Sequence, residues 1–254
     1  YGLGAPLKVH PTGLIDYAGG GKVAVANATR TNNSVMWASP SWSGFNLNVG
    51  YSFNPTAAGA EADMTAGNTA RKGSAWMLNP TFGSSHWGAG YSFWNSKLDA
   101  PTAAIASSDQ RSDSLYGHYV FGAFKVGAIW NRTKLETATT GAESSNRTAW
   151  SIPVRYTMGQ HNLMAHYTRA SDDKATPGAD DGAKMMAFTY AYSLSKRTHV
   201  SLSLARLTNN AAGAYDFFTN ASPGGVAGGL SSTNSGTAAG EDQRLLSMGV
   251  RHSF

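Results

Sequence analysis

Side chains alternate with a period of two along most of this chain, up to its last residue. Over residues 245–254, Leu246, Met248, Val250, His252 and Phe254 fall on one side of an extended strand, with Leu245, Ser247, Gly249, Arg251 and Ser253 opposite. One face is oily and closes on two rings, while the other is small and polar. The terminal residues of most domains are frayed and polar, so an end patterned this way reads as a structural element. The same alternation sets Phe45, Leu47, Val49, Tyr51 and Phe53 against Asn46, Asn48, Gly50, Ser52 and Asn54, and runs through Met186, Phe188, Tyr190, Tyr192 and Leu194.

Further strands are predicted around 35–37, 76–82, 87–93, 115–121, 124–130, 150–158, 163–167 and 200–204, which gives about eleven from Asn33 onward. Their connections decide the architecture. Short turns such as Gly83-Ser84-Ser85, Gly122-Ala123, Gly159-Gln160 and Lys196-Arg197 alternate with polar loops, among them 54–70, 95–110, 135–146, 171–182 and the stretch up to Gly240. Hairpins threaded through a bilayer have this alternation, with all long loops on one side. A soluble sandwich has no reason to gather its long loops at one end. Aromatic residues also collect at strand ends, as in Tyr51 and Phe53, Tyr91 and Phe93, and Phe121 and Phe124, where the two interfaces of a membrane would lie. No run approaches the ~18 apolar residues of a spanning helix. The reading is therefore all-β, an antiparallel transmembrane β-barrel forming a single domain over residues 1–254, and the alternative is a soluble all-β carbohydrate-binding protein with exposed Trp and Tyr.

Three stretches carry a family resemblance. The ending Gly-Val-Arg-His-Ser-Phe254 resembles the C-terminal strand of Gram-negative outer-membrane general porins of the β-proteobacterial type. Arg30-Thr-Asn-Asn-Ser-Val-Met-Trp-Ala-Ser-Pro40 resembles the strand that leaves the family's constriction loop, and Tyr192-Ser-Leu-Ser-Lys-Arg-Thr198 one of its periplasmic turns. The resemblance implies a barrel of sixteen strands, of which about five N-terminal ones would be absent from this sequence, and it makes residues 1–29 the later part of the constriction loop. An ordinary surface loop is the plainer reading of that glycine-rich segment. The resemblance also implies the bacterial outer membrane as location, a homotrimer, and recognition of Phe254 by the barrel-assembly machinery. The activity it implies is passive diffusion of small hydrophilic solutes and ions through a water-filled pore, without catalysis or cofactor.

The same resemblance singles out Arg30, because in anion-selective relatives the arginine of the matching Arg-x-Asn-Asn motif projects into the constriction. Local charge agrees, since the first sixty residues hold Lys8, Lys22 and Arg30 against the single acid Asp16. Pairing of Arg30 with Asp16 or a backbone carbonyl, which would merely pin the loop, is the competing reading. Lys125, Arg155 and Arg251 fall on the predicted inner faces and would extend a basic track. An anion-preferring channel follows from these residues.

Other chemistry is poorly supported. The net charge is +5, but the basic residues form no run or patch, which argues against a nucleic-acid partner. Cysteine is absent, so thiolate metal sites and disulfides are excluded. His161 and His166 stand on opposite faces of one strand and cannot share a metal there. There is no Gly-x-Ser-x-Gly elbow and no His-Glu-x-x-His, and Gly21-Lys22 lacks a phosphate loop's glycine at Asp16 and hydroxyl at Val23. The acidic stretch Asp172, Asp173, Asp180 and Asp181 lacks the ordered spacing of a calcium loop and reads as a solvated external loop. The partners expected are outer-membrane lipid on the oily faces and small solutes and anions within.

Overall fold

The computed structural model describes residues 33–53, 55, 73–98, 108–137, 140–215 and 238–254. Within them eleven strands pair in chain order into one antiparallel sheet. They are β1 (Ser34–Ala38), β2 (Phe45–Ser52), β3 (Gly73–Gly83), β4 (Trp87–Leu98), β5 (Ser108–Phe121), β6 (Phe124–Thr137), β7 (Glu143–Met158), β8 (His161–Ala170), β9 (Ala183–Ser193), β10 (Thr198–Asn209) and β11 (Gln243–His252). Every neighbour in the sheet is a neighbour in sequence, so each connection is a hairpin. No described helix is long and apolar enough to cross a membrane.

Turn chemistry fixes the register at the short-turn end. Ser43 and Gly44 both take positive φ, 51° and 91°, between the bridged pair Trp42 and Phe45. That mirror-image turn matches the twist of the strands it joins. A side chain at Gly44 would collide with the carbonyl oxygen of Gly83, whose own N–H donates to the Gly44 carbonyl at 2.9 Å. Backbone therefore approaches backbone where β3 ends, and a glycine is required there.

At the other end the strands run further than hydrophobic alternation predicts. The polar stretch 135–146, expected as a loop, is mostly strand, with Leu135 opposite Ser145 and only residues 138–142 connecting β6 to β7. Likewise β4 continues to Leu98 and β5 starts at Ser108, so Ser96 pairs with Gln110 inside the expected loop 95–110. Where a strand rises clear of the bilayer both faces meet water, and the apolar contrast that marks a strand disappears. Backbone pairing holds it together with polar side-chain contacts, such as Lys134 with Glu143 at 3.0 Å.

The two faces differ consistently. On β9 and β10, Met185, Thr189, Ala191 and Ser203 are 3% exposed or less, whereas Met186, Phe188 and Leu204 are 46–62% exposed. Among the described residues no second layer covers either face. In a single sheet this asymmetry comes from curvature: small side chains on the concave side shield one another, and large ones on the convex side splay apart. Cores of globular proteins bury their large apolar residues; this sheet exposes them. Two aromatic rows flank the exposed apolar band, one through Phe82–Trp87 and Phe124–Tyr156 near the short turns, the other through Trp76–Phe93 and Trp150–Tyr167. Phe124 and Trp130 lie on these two rows, six residues or about 20 Å apart along the strand. This is the wall of a transmembrane β-barrel, with girdles at both interfaces.

Candidate functional site

The concave face is the candidate site, and hydroxyl and amide side chains dominate its middle strands. Because side chains alternate, registered pairing stacks Ser112 and Ser114 of β5 beside Asn131 and Thr133 of β6. Asn131 Nδ2 donates to Ser114 Oγ at 2.7 Å and Ser112 Oγ at 3.0 Å, and Thr133 Oγ1 donates to Ser112 Oγ at 3.2 Å. Thr168 Oγ1 donates to Ser151 Oγ at 2.8 Å, and Thr189 and Ser203 share a 2.7 Å bond. Each bond runs across two strands, so the wall is polar toward the lumen while its buried groups are satisfied laterally.

Large inward residues are seated over glycines. The Tyr116 ring lies so close over Gly90 that a Cβ there would stand 2.5 Å from Cζ, and the Tyr116 hydroxyl accepts from Asn79 Nδ2 at 2.9 Å. Tyr116 is thereby laid flat along the wall.

Of the residues singled out by sequence, Lys125 and Arg155 face each other as Cα partners on β6 and β7, on the concave side, one and three residues from the nearest short turns. Arg251 on β11 also faces inward, opposite His199, beside the turn after β9. All three sit at the short-turn mouth. The Lys125–Arg155 rung thus sets two like charges opposite each other at that mouth. Arg30, Asp16 and the whole segment 1–29 lie outside the described residues.

At the opposite mouth the structure shows a cluster that sequence reading missed. Arg147, inward-facing on β7, donates from Nη2 to Asp181 Oδ2 at 2.6 Å and from Nη1 to the Tyr215 hydroxyl at 3.2 Å, and its Nε stands 3.1 Å from Asp173 Oδ2. Asp173 also accepts from Ser145 Oγ and the Asn146 N–H, both at 2.7 Å, and from the Ala175 N–H at 2.9 Å. Burial alone would raise its pKa, yet the hydrogen bonds and the Arg147 charge hold it below the ordinary aspartate value. Burial pushes the Tyr215 phenol upward despite the adjacent guanidinium. Asp172 accepts from the Gly182 N–H at 2.7 Å, and Asn210 Nδ2 bonds both Asp172 and Asp180. The acidic loop is only partly the solvated cluster expected: Asp172 and Asp180 are exposed, but Asp173 is 5% exposed, and the four carboxylates knit the loop to β7 and to the start of the next loop. Among the described residues no three His, Asp or Glu side chains converge to hold a metal ion. Parity along β7 was enough to place Arg147 inward; its partners, 26 and 34 residues away, carry no local signal.

No curated protein sequence matches the chain. Among solved structures, OmpT, an outer-membrane protein of Vibrio cholerae folded in vitro, superposes with a TM-score of 0.60 at 14% identity, covering 86% of this chain and 63% of that one. Its loop L8 deletion mutant superposes with a TM-score of 0.58 at 12% identity, covering 86% and 62%. The chain therefore spans under two thirds of the length of these neighbours, which share its fold. The family model described as "Gram-negative porin" matches residues 3–213. A sheet with its oily face outward and a hydroxyl-lined concave face is what such a protein needs, and this chain belongs to the Gram-negative porin family of the bacterial outer membrane.

Proposed function

We propose that the concave face forms part of the wall of a water-filled channel for passive diffusion of small hydrophilic solutes and ions, with a preference for anions. The observation that carries this reading is the division of the sheet into a small, polar concave face and a convex face of large exposed hydrophobics. A soluble carbohydrate-binding domain would bury the latter against a second layer. The channel asks for no catalysis and no cofactor. Selectivity follows from pore width and from the field of fixed charges in a narrow passage with low-dielectric walls.

Support for anion preference comes from Lys125 and Arg155 at the short-turn mouth, with Arg251 on the same face and end of the sheet. Arg30 remains the proposed selectivity residue of the constriction, with Asp16 its candidate partner. The edges β1 and β11 each lack one neighbour among the described strands. Unpaired backbone cannot face hydrocarbon, each group costing several kcal/mol, so we assign closure of the barrel to further strands. Assembly as a homotrimer and recognition of the terminal Phe254 by the barrel-assembly machinery complete the proposal. The test is the reversal potential of the membrane-purified protein in planar bilayers under a salt gradient. A potential of the sign set by anions supports the reading, and one set by cations overturns its selectivity.

A further inference from the structure

Hydroxyls, amides and small residues make up most of the concave face, and two thioethers on β1 and β3 break that pattern. Met36 and Met77 are both Cα partners of Gly50, one from each strand flanking β2, and they share its concave face. A Cβ on Gly50 would stand 2.9 Å from Met77 Cγ, 3.3 Å from Met77 Sδ and 3.4 Å from Met36 Cγ. The two side chains therefore lean toward each other over the side chain that glycine lacks. Met36 is 41% exposed, so apolar burial is a poor reason for it to be there. Trp94 of β4 continues the same rung as the Cα partner of Met77. Among the described residues its indole N–H has no hydrogen-bond partner, so packing alone places the ring.

The donor atoms decide which ligand such a rung suits. A thioether sulfur is neutral, polarisable and unprotonated at any ordinary pH, and it prefers soft monovalent ions such as copper(I) and silver(I) to hard divalent ones. An indole face adds attraction for a cation. The neighbouring concave positions are Asn48, Asn79 and Ser112. None of these is a carboxylate, so calcium or magnesium would find no charged oxygen to bind.

We propose that Met36 and Met77, with Trp94 beside them, form a site on the channel wall for a soft monovalent cation of the copper(I) or silver(I) type. Each methionine supplies one sulfur to the ion, and the indole lies against its remaining side. Methionine is unbranched and flexible, so the open position at Gly50 lets both sulfurs swing onto one ion. The site rests on the concave face bordering water, which paired thiols at Ser201 and Leu202 test separately.

The experiment dialyses the membrane-purified protein, in a neutral detergent and a chloride-free buffer, against silver nitrate and measures bound silver together with tryptophan fluorescence. Silver(I) serves as the probe because it needs no reductant. Saturable binding is expected, weakened about tenfold in each of Met36→Leu and Met77→Leu, which keep the side-chain volume, and unchanged in Met186→Leu on the convex face. Gly50→Val, which fills the gap between the sulfurs, should weaken it similarly. The quenching that accompanies binding should shrink in Trp94→Phe. Affinity should stay level from about pH 8 to about pH 6, because no ligand titrates there, whereas a histidine site would weaken. Undiminished binding in both Met36→Leu and Met77→Leu, equal loss in Met186→Leu, quenching untouched by Trp94→Phe, a fall in affinity toward pH 6, or displacement of silver by calcium would each overturn the assignment.

Discussion

Arg147 on β7 and Asp181 in the loop after β8 meet through a 2.6 Å charge-assisted hydrogen bond, and the same guanidinium reaches Asp173 and Tyr215. One side chain projecting from the wall thus anchors the connection between β8 and β9 and the start of the connection after β10. Its side chain is 14% exposed, so removing it strands two largely desolvated carboxylates. Arg147→Met should cost ~3 kcal/mol, the low end for a broken buried pair. The loss is local, and limited proteolysis within residues 171–182 should reveal it before any change in global unfolding.

The same cluster sets an acid response. Asp173 has its pKa lowered in the folded state, so its contribution is present above the unfolded aspartate value of about 3.9 and is lost as pH falls through the folded value. Loop cleavage by an acid-active protease should therefore rise only below about pH 4. In Asp173→Asn that rise should be blunted and the loop already looser at neutral pH. Calcium chelation should change neither.

The register makes a sharp pair of neighbours on β2. Val49 lies on the convex face opposite Trp37 and Leu78, and Asn48 on the concave face opposite Ala38 and Asn79. Lysine at Val49 should cost ~2–4 kcal/mol in folding titrations into bilayers, and at Asn48 much less. Equal costs would mean that the faces are reversed or that neither meets lipid.

Tyr116 and Gly90 form a fitted pair. Gly90→Ala forces the ring off its seat and breaks its bond to Asn79, for ~1–3 kcal/mol. Most of that cost should vanish in a Tyr116→Ala background, which a double-mutant cycle measures directly.

Much of the wall was legible in the sequence because strands at membrane depth see two different solvents. Phe45 to Tyr51, Met186 to Tyr192 and Leu246 to Val250 announce their faces by alternation, and the turns at Gly122 and Gly159 sit where glycine predicts them. Legibility ends where water lies on both sides. The paired stretches around Ser96, Gln110, Leu135 and Ser145 read as loops because polarity no longer alternates there. The height of Lys125 and Arg155 along the pore depended on counting residues to the nearest turn. The Arg147 cluster was hidden for a different reason: its acids belong to a loop whose path is set by long-range pairing.

Basic residues at the short-turn mouth should matter for ions and not for folding. Arg155→Ser and Lys125→Ser should each lower the anion-to-cation permeability ratio by about twofold in dilute salt, with the effect fading toward 1 M as screening shortens to ~3 Å. Arg206→Ser on the convex face should leave the ratio unchanged. Reversal potentials across a series of salt concentrations check both.

The central claim is that the concave face borders a conducting water path. The chain has no cysteine, so single thiols can be placed at Ser201, which faces inward from β10 and is half-buried, and at its neighbour Leu202, which faces outward. A charged, membrane-impermeant thiol reagent applied to single channels in planar bilayers should change the conductance of Ser201→Cys within the period of exposure and leave Leu202→Cys unaltered. Modification of Leu202→Cys with a conductance change, while Ser201→Cys stays inert, would contradict the account.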